Sequence, residues 1–254
     1  MTTTLIVLAH PAQTSFNAAW ARATEAACRA EGDDVLWSDL YQLGFDPAER
    51  AEHYAADIVT DPYDVLKTQE AASRTGNLPE IVADEIEKLR KADRIVFHFP
   101  VWWFAPPAIL KGWCERVLTN GGLHDTSNRF DTGQFRGKPV LFCVTTGSKA
   151  SESAHNGKEG DIQLLLWPMA YTLRYLGFSV LVPRVVHGVH GYHKGVAKED
   201  LETRLQHEID RHRETIARFE ILPKIEFNAD NDFDSAGTLD PGAPSHSHFI
   251  RHTP

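Results

Sequence analysis

The sequence predicts an α/β fold, a doubly wound parallel sheet with helices on both faces. Two observations carry that reading. Short apolar runs alternate along the chain with longer segments of helical period. The central runs, RIVFHF (94–99) and PVLFCVTT (139–146), are apolar almost throughout rather than at every second residue, as strands buried on both sides require.

Each element follows in order. LIVLA (5–9) is the first strand, and an alanine-rich stretch (17–31) of strong helix formers ends at Gly32. VLWSDL (35–40) is the second strand. PEIVADEIEKLRKA (79–92) opens on a proline suited to a first helical turn and carries Ile81, Ile86 and Leu89 at helical spacing. The segments 94–99 and 139–146 are the next strands, separated by the apolar segment PPAILKGWCERVL (106–118). Residues 162–176 read as a helix despite Pro168, FSVLVP (178–183) as a last strand, and 198–220 as a charged helix with Leu201, Leu205, Ile209 and Ile216 as its apolar positions. Two domains of behaviour result: a sheet-based unit over 1–220, with 46–78 as a long polar excursion loop, and an extended tail over 221–254. The tail, with Phe227, Phe233 and Leu239, either wraps the domain or a partner subunit, or is disordered beyond about Gly237.

Composition narrows the function. With 254 residues, 42% hydrophobic and 24% charged, the chain is of ordinary globular make-up. A net charge of −9 and the lack of a basic-aromatic stripe argue against a nucleic-acid binder. Cys28, Cys114 and Cys143 are odd in number and widely spaced, which suits a reducing compartment rather than a disulfide framework. MTTTLIVLAHP has no basic leader and its apolar run is too short for a membrane span, so a cytoplasmic protein with no integral membrane segment is expected.

Ligands of open parallel sheets bind beyond the carboxyl ends of the strands, where three loops fall. HPAQTSFN (10–17) offers His10, Gln13, Thr14, Ser15 and Asn17 before a helix; it reads as an anion cradle or as a plain helix cap, and it is neither GxGxxG nor a P-loop. FPVWWFAPPA (99–108) sets Trp102, Trp103 and Phe104 among prolines that favour a rigid, extended path; such a wall suits a flat conjugated ligand, a subunit interface or core. TTGSKASESAHNGKEG (145–160) begins with a turn whose N–H groups can hold a polar ring edge.

That third loop also holds Ser153, His155 and Glu159, which invites comparison with a hydrolytic triad. Ser153 lacks a GxSxG elbow and His155 lies only two residues away, so a serine hydrolase is not expected. HGVHGYH (187–193) has its histidines separated by glycines with no carboxylate, and reads as a cleft-lining loop; HSHFIRH near the end is an adventitious chelator, and no metal site is expected. No carboxylate pair has glycosidase character.

Taken together, VLAHPAQTSFNAAW (7–20), SDLYQLGFDP (38–47), FHFPVWWFAPPAILKGWCERVL (97–118), GKPVLFCVTTG (137–147) and LLLWPMAYTLRYLGFSVLVP (164–183) resemble the NAD(P)H:quinone oxidoreductases of the flavodoxin-like fold. The resemblance implies a flavin, FAD by chain length with FMN the cofactor of shorter relatives, and NADPH or NADH as hydride donor. It also implies a homodimer with active sites at the interface and a small aromatic acceptor. Matched motif to motif, His10, Thr14, Ser15, Phe16 and Asn17 fall on phosphate- and ribose-binding positions. Pro100, Val101, Trp102, Trp103 and Phe104 fall beside the isoalloxazine, and Thr145, Thr146, Gly147 and Ser148 on the turn that bonds its polar edge. Trp103, Phe104, Tyr192, Phe227 and Phe233 are the substrate-side candidates.

One loop departs from the pattern. Where mammalian-type members carry a tyrosine and a histidine, this chain aligns Ser153 and Glu159, with His155 as a stand-in if the loop shifts; these three are the catalytic candidates. The implied mechanism has two steps: hydride passes from NAD(P)H to the flavin, the spent donor leaves, and a quinone or related aromatic takes the hydride from the same slot. The alternatives are a flavin-binding regulatory subunit with weak turnover and a biosynthetic oxidoreductase acting on an aromatic natural product.

Overall fold

The computed structural model describes residues 1–253. Strands β1 (Thr3–Leu8), β2 (Asp34–Asp39), β3 (Arg94–Pro100), β4 (Pro139–Thr146), β5 (Ser179–Val180) and β6 (Arg184–His187) form one parallel sheet. Its order is 2-1-3-4-5, with β6 also paired to β4. The chain reverses its direction of winding between β1 and β3, the place where such sheets open a crevice.

The period of two along each central strand divides the core. Ile95, Phe97 and Phe99 of β3 and Val140, Phe142 and Val144 of β4 face α3 (Glu80–Lys91), α4 (Ala108–Val117) and α5 (Ile162–Tyr175). Phe97 meets Trp113 and Phe142 edge-on at 5.8 and 5.7 Å. The alternate residues Val96, Leu141 and Cys143 face α1 (Phe16–Ala30) and α6 (Val196–Ala217), where Trp20, Ile216 and Phe219 complete the packing.

The expected elements stand with shifts of up to three residues, and two expectations, for the excursion and the last strand, need correction, while the tail takes one of its open readings. The excursion 46–78 contains a helix, α2 (Val65–Thr75), capped by Asp64 at its start and by left-handed Gly76 at its end. Its buried face is Thr68, Gln69 and Ala72, so no apolar stripe announces it. Glu49 holds the excursion down by accepting from the Tyr54 and Tyr63 hydroxyls at 3.2 and 3.3 Å and from Gln69 Nε2 at 3.2 Å. The expected last strand, 178–183, is shorter than expected: β5 stops at Val180, and a further strand, β6, follows at Arg184–His187 just past Pro183, which has no N–H to give a ladder. The tail wraps its own domain: Ile225 N–H donates to Val180 O, Val182 N–H to Pro223 O (both 2.8 Å), and the Phe249 ring stacks on Trp167 at 5.6 Å.

A polar cluster lies inside the α1/α6 layer. Thr24 Oγ1 is 2.9 Å from His98 Nε2 and 2.7 Å from His212 Nε2, and Trp20 stands edge-on to both rings. Burial holds His98 well below the usual histidine range and pushes His212 down to about 3, so both are neutral in the folded protein. Unfolding restores an ordinary histidine, which takes up a proton below about pH 6.5. The unfolded state then binds more protons, and stability from this pair is complete above that pH and lost as pH falls toward 3. A series of urea titrations from pH 7 to 4.5 should show stability falling by up to about 1.4 kcal/mol per pH unit for each of the two histidines. In His212→Gln that slope should lessen even though the variant is less stable at pH 7.

Candidate active site at the carboxyl edge of the sheet

The site is assembled by three strand ends in register. Pro100 lies opposite Thr145 in the β3–β4 pairing, and Val101 N–H continues the ladder to Thr145 O at 2.8 Å. Thr145 Oγ1 donates to Asn17 Oδ1 at 2.9 Å, which ties the start of α1 to the end of β4. The loops after β1, β3 and β4 therefore meet at one point.

In the first loop, Ser15 is the N-cap of α1 and accepts from Ala18 N–H at 3.2 Å. The cap leaves the helix's first N–H groups, those of Phe16 and Asn17, directed outward. Asn17 is buried, and its Nδ2 has no partner, a donor waiting at the loop junction. His10 is half-buried with its ring 5.7 Å from Trp102; Nδ1 accepts from Ala12 N–H at 3.0 Å, and burial lowers its pKa. Phe16 packs on Trp20 at 5.4 Å, and Thr14 is exposed.

The second loop is not the extended path expected from its prolines. Trp103 and Phe104 have φ of +36° and +62°, consecutive left-handed residues that bulky side chains seldom adopt, and the Ala105 N–H closes the turn on Trp102 O at 3.2 Å. The turn throws the Trp103 indole outward with 95% of its surface exposed. Trp102 and Phe104 are about half exposed.

The third loop folds back on itself. Ser153 N–H donates to Lys149 O at 3.1 Å, Ile162 N–H to Ser153 O at 3.1 Å, and Glu159 N–H to Glu152 O at 2.9 Å. Ser153 is thereby turned inward, its hydroxyl 2.5 Å from Ser148 Oγ, which is 2.8 Å from Thr146 Oγ1. A cleft of about 430 Å³ opens here between Val101, Trp103, Phe104, Gly147, Ser148 and Ser153, with Glu152, Lys158 and Glu159 on its rim. A Cβ at Gly147 would meet nothing within 4 Å, so its backbone faces open cleft.

Of the three catalytic candidates, Ser153 and Glu159 line this cleft and His155 does not. His155 sits exposed on the outer bend of the folded loop, so it neither completes a triad nor substitutes for the aligned histidine position. Among the substrate-side candidates, Trp103 and Phe104 line the cleft. Tyr192 does not: it is 89% exposed on the glycine-rich turn after β6, beside His190. Phe227 packs on Trp167 and Tyr171 at 5.2 and 6.0 Å, and the Phe233 backbone pairs with Leu239 within the tail; neither lines the 430 Å³ cleft.

A second, larger groove of about 950 Å³ shares Phe104 and runs between α2, α4 and α5 past Trp167, Tyr171, Tyr175, His124 and Phe249. The sequence did contain its signal: Trp167, Tyr171 and Tyr175 recur at i, i+4 and i+8, an aromatic stripe down one face of α5. His124 stacks edge-on against Tyr175 at 5.3 Å, and partial burial lowers its pKa.

The aromatic turn carries a measurable cost. In Trp103→Gly the left-handed backbone is relaxed. The midpoint of thermal unfolding of the ligand-free protein should rise, by the equivalent of about 1 kcal/mol, while ligand binding in the cleft weakens. Differential scanning calorimetry with and without added flavin checks both signs.

Comparison with known proteins agrees with this geometry. A family model described as flavodoxin-like fold matches residues 2–210. NAD(P)H dehydrogenase [quinone] 1 of Rattus norvegicus is 40% identical over 192 residues, covering 73% of this chain and 68% of the rat protein. Ribosyldihydronicotinamide dehydrogenase [quinone] of Mus musculus is 36% identical over 188 residues, covering 73% and 81%. The crystal structure of a quinone-reductase candidate from Klebsiella pneumoniae superposes with a TM-score of 0.84 at 28% identity, over 95% of each chain. A flavodoxin-like sheet with these relatives over most of its length places the chain in the NAD(P)H dehydrogenase (quinone) family.

Proposed function

We propose that the protein transfers hydride from NAD(P)H, by way of a bound flavin, to quinones or related aromatic acceptors. The observation that carries this reading is the convergence on Thr145 of a helix N-terminus, an aromatic turn and an open backbone turn. The chemistry of those residues fits a flavin. The start of α1 offers N–H groups and the Ser15 cap to phosphate. The orphaned Asn17 Nδ2 is a buried donor with a partner still to gain. Trp102, Trp103 and Phe104 would flank a planar ring, and Gly147 and Ser148 would meet its polar edge. The cofactor supplies two-electron hydride chemistry when bound; the chain binds, orients and excludes water.

Each side chain then has a task. Trp103 and Phe104 form the wall against which a flat donor or acceptor lies. The linked hydroxyls of Thr146, Ser148 and Ser153 fix the third loop and present a hydroxyl to the cleft that can donate or accept. Glu159 adds a carboxylate to the cleft lining, while Lys158 is paired with Glu152 at 3.3 Å. Chain length favours FAD. The exposed Trp103 and the apolar groove it adjoins favour a homodimer whose partner covers them. Three unpaired buried thiols suit the reducing cytoplasm, and among the described residues no helix is long and apolar enough to cross a membrane.

The test is an anaerobic titration of the flavin-loaded protein with NADPH and with NADH, followed by flavin absorbance. One equivalent of an effective donor should bleach the flavin, and a benzoquinone should restore the colour. Flavin that stays oxidised with both donors would sink the assignment. Light scattering on the same sample should give about twice the chain mass of 28.5 kDa.

A further inference from the structure

We propose that His98, Cys143 and His212 form a buried binding site for a single thiophilic, monovalent metal ion of the Cu⁺ class. One ligand atom from each residue lies within 4.8 Å of the other two, and all three residues are buried. They come from separate elements: His98 and Cys143 are paired neighbours on β3 and β4, and His212 reaches down from α6. The cluster lies on the α1/α6 face of the sheet, away from the cleft loops, so it is independent of the flavin reading.

The hydrogen bonding there is incomplete. A threonine hydroxyl has one proton, so Thr24 can donate to only one of the two imidazole nitrogens it touches; the other must present N–H. His98 Nδ1 has no partner in either tautomer. Native cores rarely leave such a group without a reason, because an unsatisfied buried polar atom costs about 1–3 kcal/mol. Thr24 also has another acceptor at hand: its hydroxyl is 3.3 Å from Trp20 O. Donating to that carbonyl, the hydroxyl withholds its proton from both Nε2 atoms, so neither imidazole lone pair there is held by Thr24, while its oxygen stays 2.9 and 2.7 Å from them.

Ligand type and charge select the ion. Two imidazoles and one thiolate are a soft set suited to Cu⁺ or Zn²⁺. On binding, the Cys143 thiol releases its proton to solvent, and its sulfur and two nitrogen lone pairs form three bonds to the ion. A monovalent ion with one thiolate is neutral, whereas a divalent one leaves a net positive charge in the core. No carboxylate belongs to the cluster, and Arg184 lies opposite Cys143 in the β4–β6 pairing, so an extra positive charge is disfavoured twice. Three-coordination by N, N and S satisfies Cu⁺ without a fourth ligand. The sequence conceals all this: positions 98, 143 and 212 have no motif spacing, while the conspicuous histidine runs at 187–193 and 246–252 form no such cluster.

The experiment loads full-length protein anaerobically with Cu⁺ in competition with bicinchoninate, whose Cu⁺ complex is coloured. The wild type should withdraw one equivalent. So should a variant with His246, His248 and His252 replaced by Ala, which removes the chelating tail. Cys143→Ser should lose affinity by about a hundredfold or more, and Zn²⁺ should bind the wild type at least tenfold more weakly than Cu⁺. Copper-edge X-ray absorption of the wild type should show one sulfur and two nitrogen scatterers, a readout that stands even if Cys143→Ser does not fold. No withdrawal of Cu⁺, full affinity in a folded Cys143→Ser, or a sulfur-free copper shell would overturn the site; Zn²⁺ bound as tightly as Cu⁺ would overturn the charge argument.

Discussion

Thr145 is the point on which the rest of the site depends. Its carbonyl extends the β3–β4 ladder one residue past Pro100, and its hydroxyl holds Asn17 across from the neighbouring helix. The first bond fixes where β3 stops and the aromatic turn begins; the second fixes the distance between the α1 N-terminus and the β4 turn. Because strand register is set by burial on both faces, a slip of one residue at β4 would move Phe142 and Cys143 to opposite layers. The positions of the three loops are therefore inherited from the core. The site is rigid where it binds and needs no loop to be individually stable.

That rigidity explains how Trp103 and Phe104 can remain in left-handed backbone. Strain of this kind persists only where the surroundings over-determine it. Here Val101 is tied to Thr145 on one side, and Pro106 and Pro107 lead directly into α4 on the other. Between those anchors the chain must reverse within a few residues. The consequence is an indole that contributes nothing to the core of its own chain. Phe104 divides the polar cleft from the aromatic groove along α5, so the two cavities share one wall. Binding in either is felt at the same side chain.

The sheet was legible because its signal is long and redundant: apolar runs at 94–99 and 139–146 admit no other reading than doubly buried strands, and helices of clear period lie between them. The α2 helix was not, since it buries Thr68, Gln69 and Ala72 and is held by hydrogen bonds to distant Glu49 rather than by an apolar face. The capped loop after β1, the aromatic loop and the β4 turn were located from residue type and from their place after strands. The conformation of the aromatic turn was hidden, because prolines on both sides argue for extension while the ladder end and α4 require reversal. The surroundings of the tail phenylalanines were not legible either, since an exposed and a packed phenylalanine look the same in a string of letters. His155 and Ser153 differ by two positions, yet one points to solvent and the other is buried, a distinction made entirely by the loop's own N–H bonds to Lys149 and Glu152.

The same loop lines its cleft with a hydroxyl and a carboxylate, those of Ser153 and Glu159, at positions where the resemblance implied a tyrosine and a histidine. Thr146, Ser148 and Ser153 form a row of hydroxyls within hydrogen-bond reach. Each hydroxyl rotates, so the row can present a donor or an acceptor to the cleft without moving a heavy atom. A histidine at the cleft would add a charge that titrates near neutral pH; a hydroxyl row adds none. The charge at the cleft rim is left to Glu152, Lys158 and Glu159, with Lys158 3.3 Å from Glu152. Adaptable hydroxyls at the floor and charged side chains at the rim are thus separated in this chain.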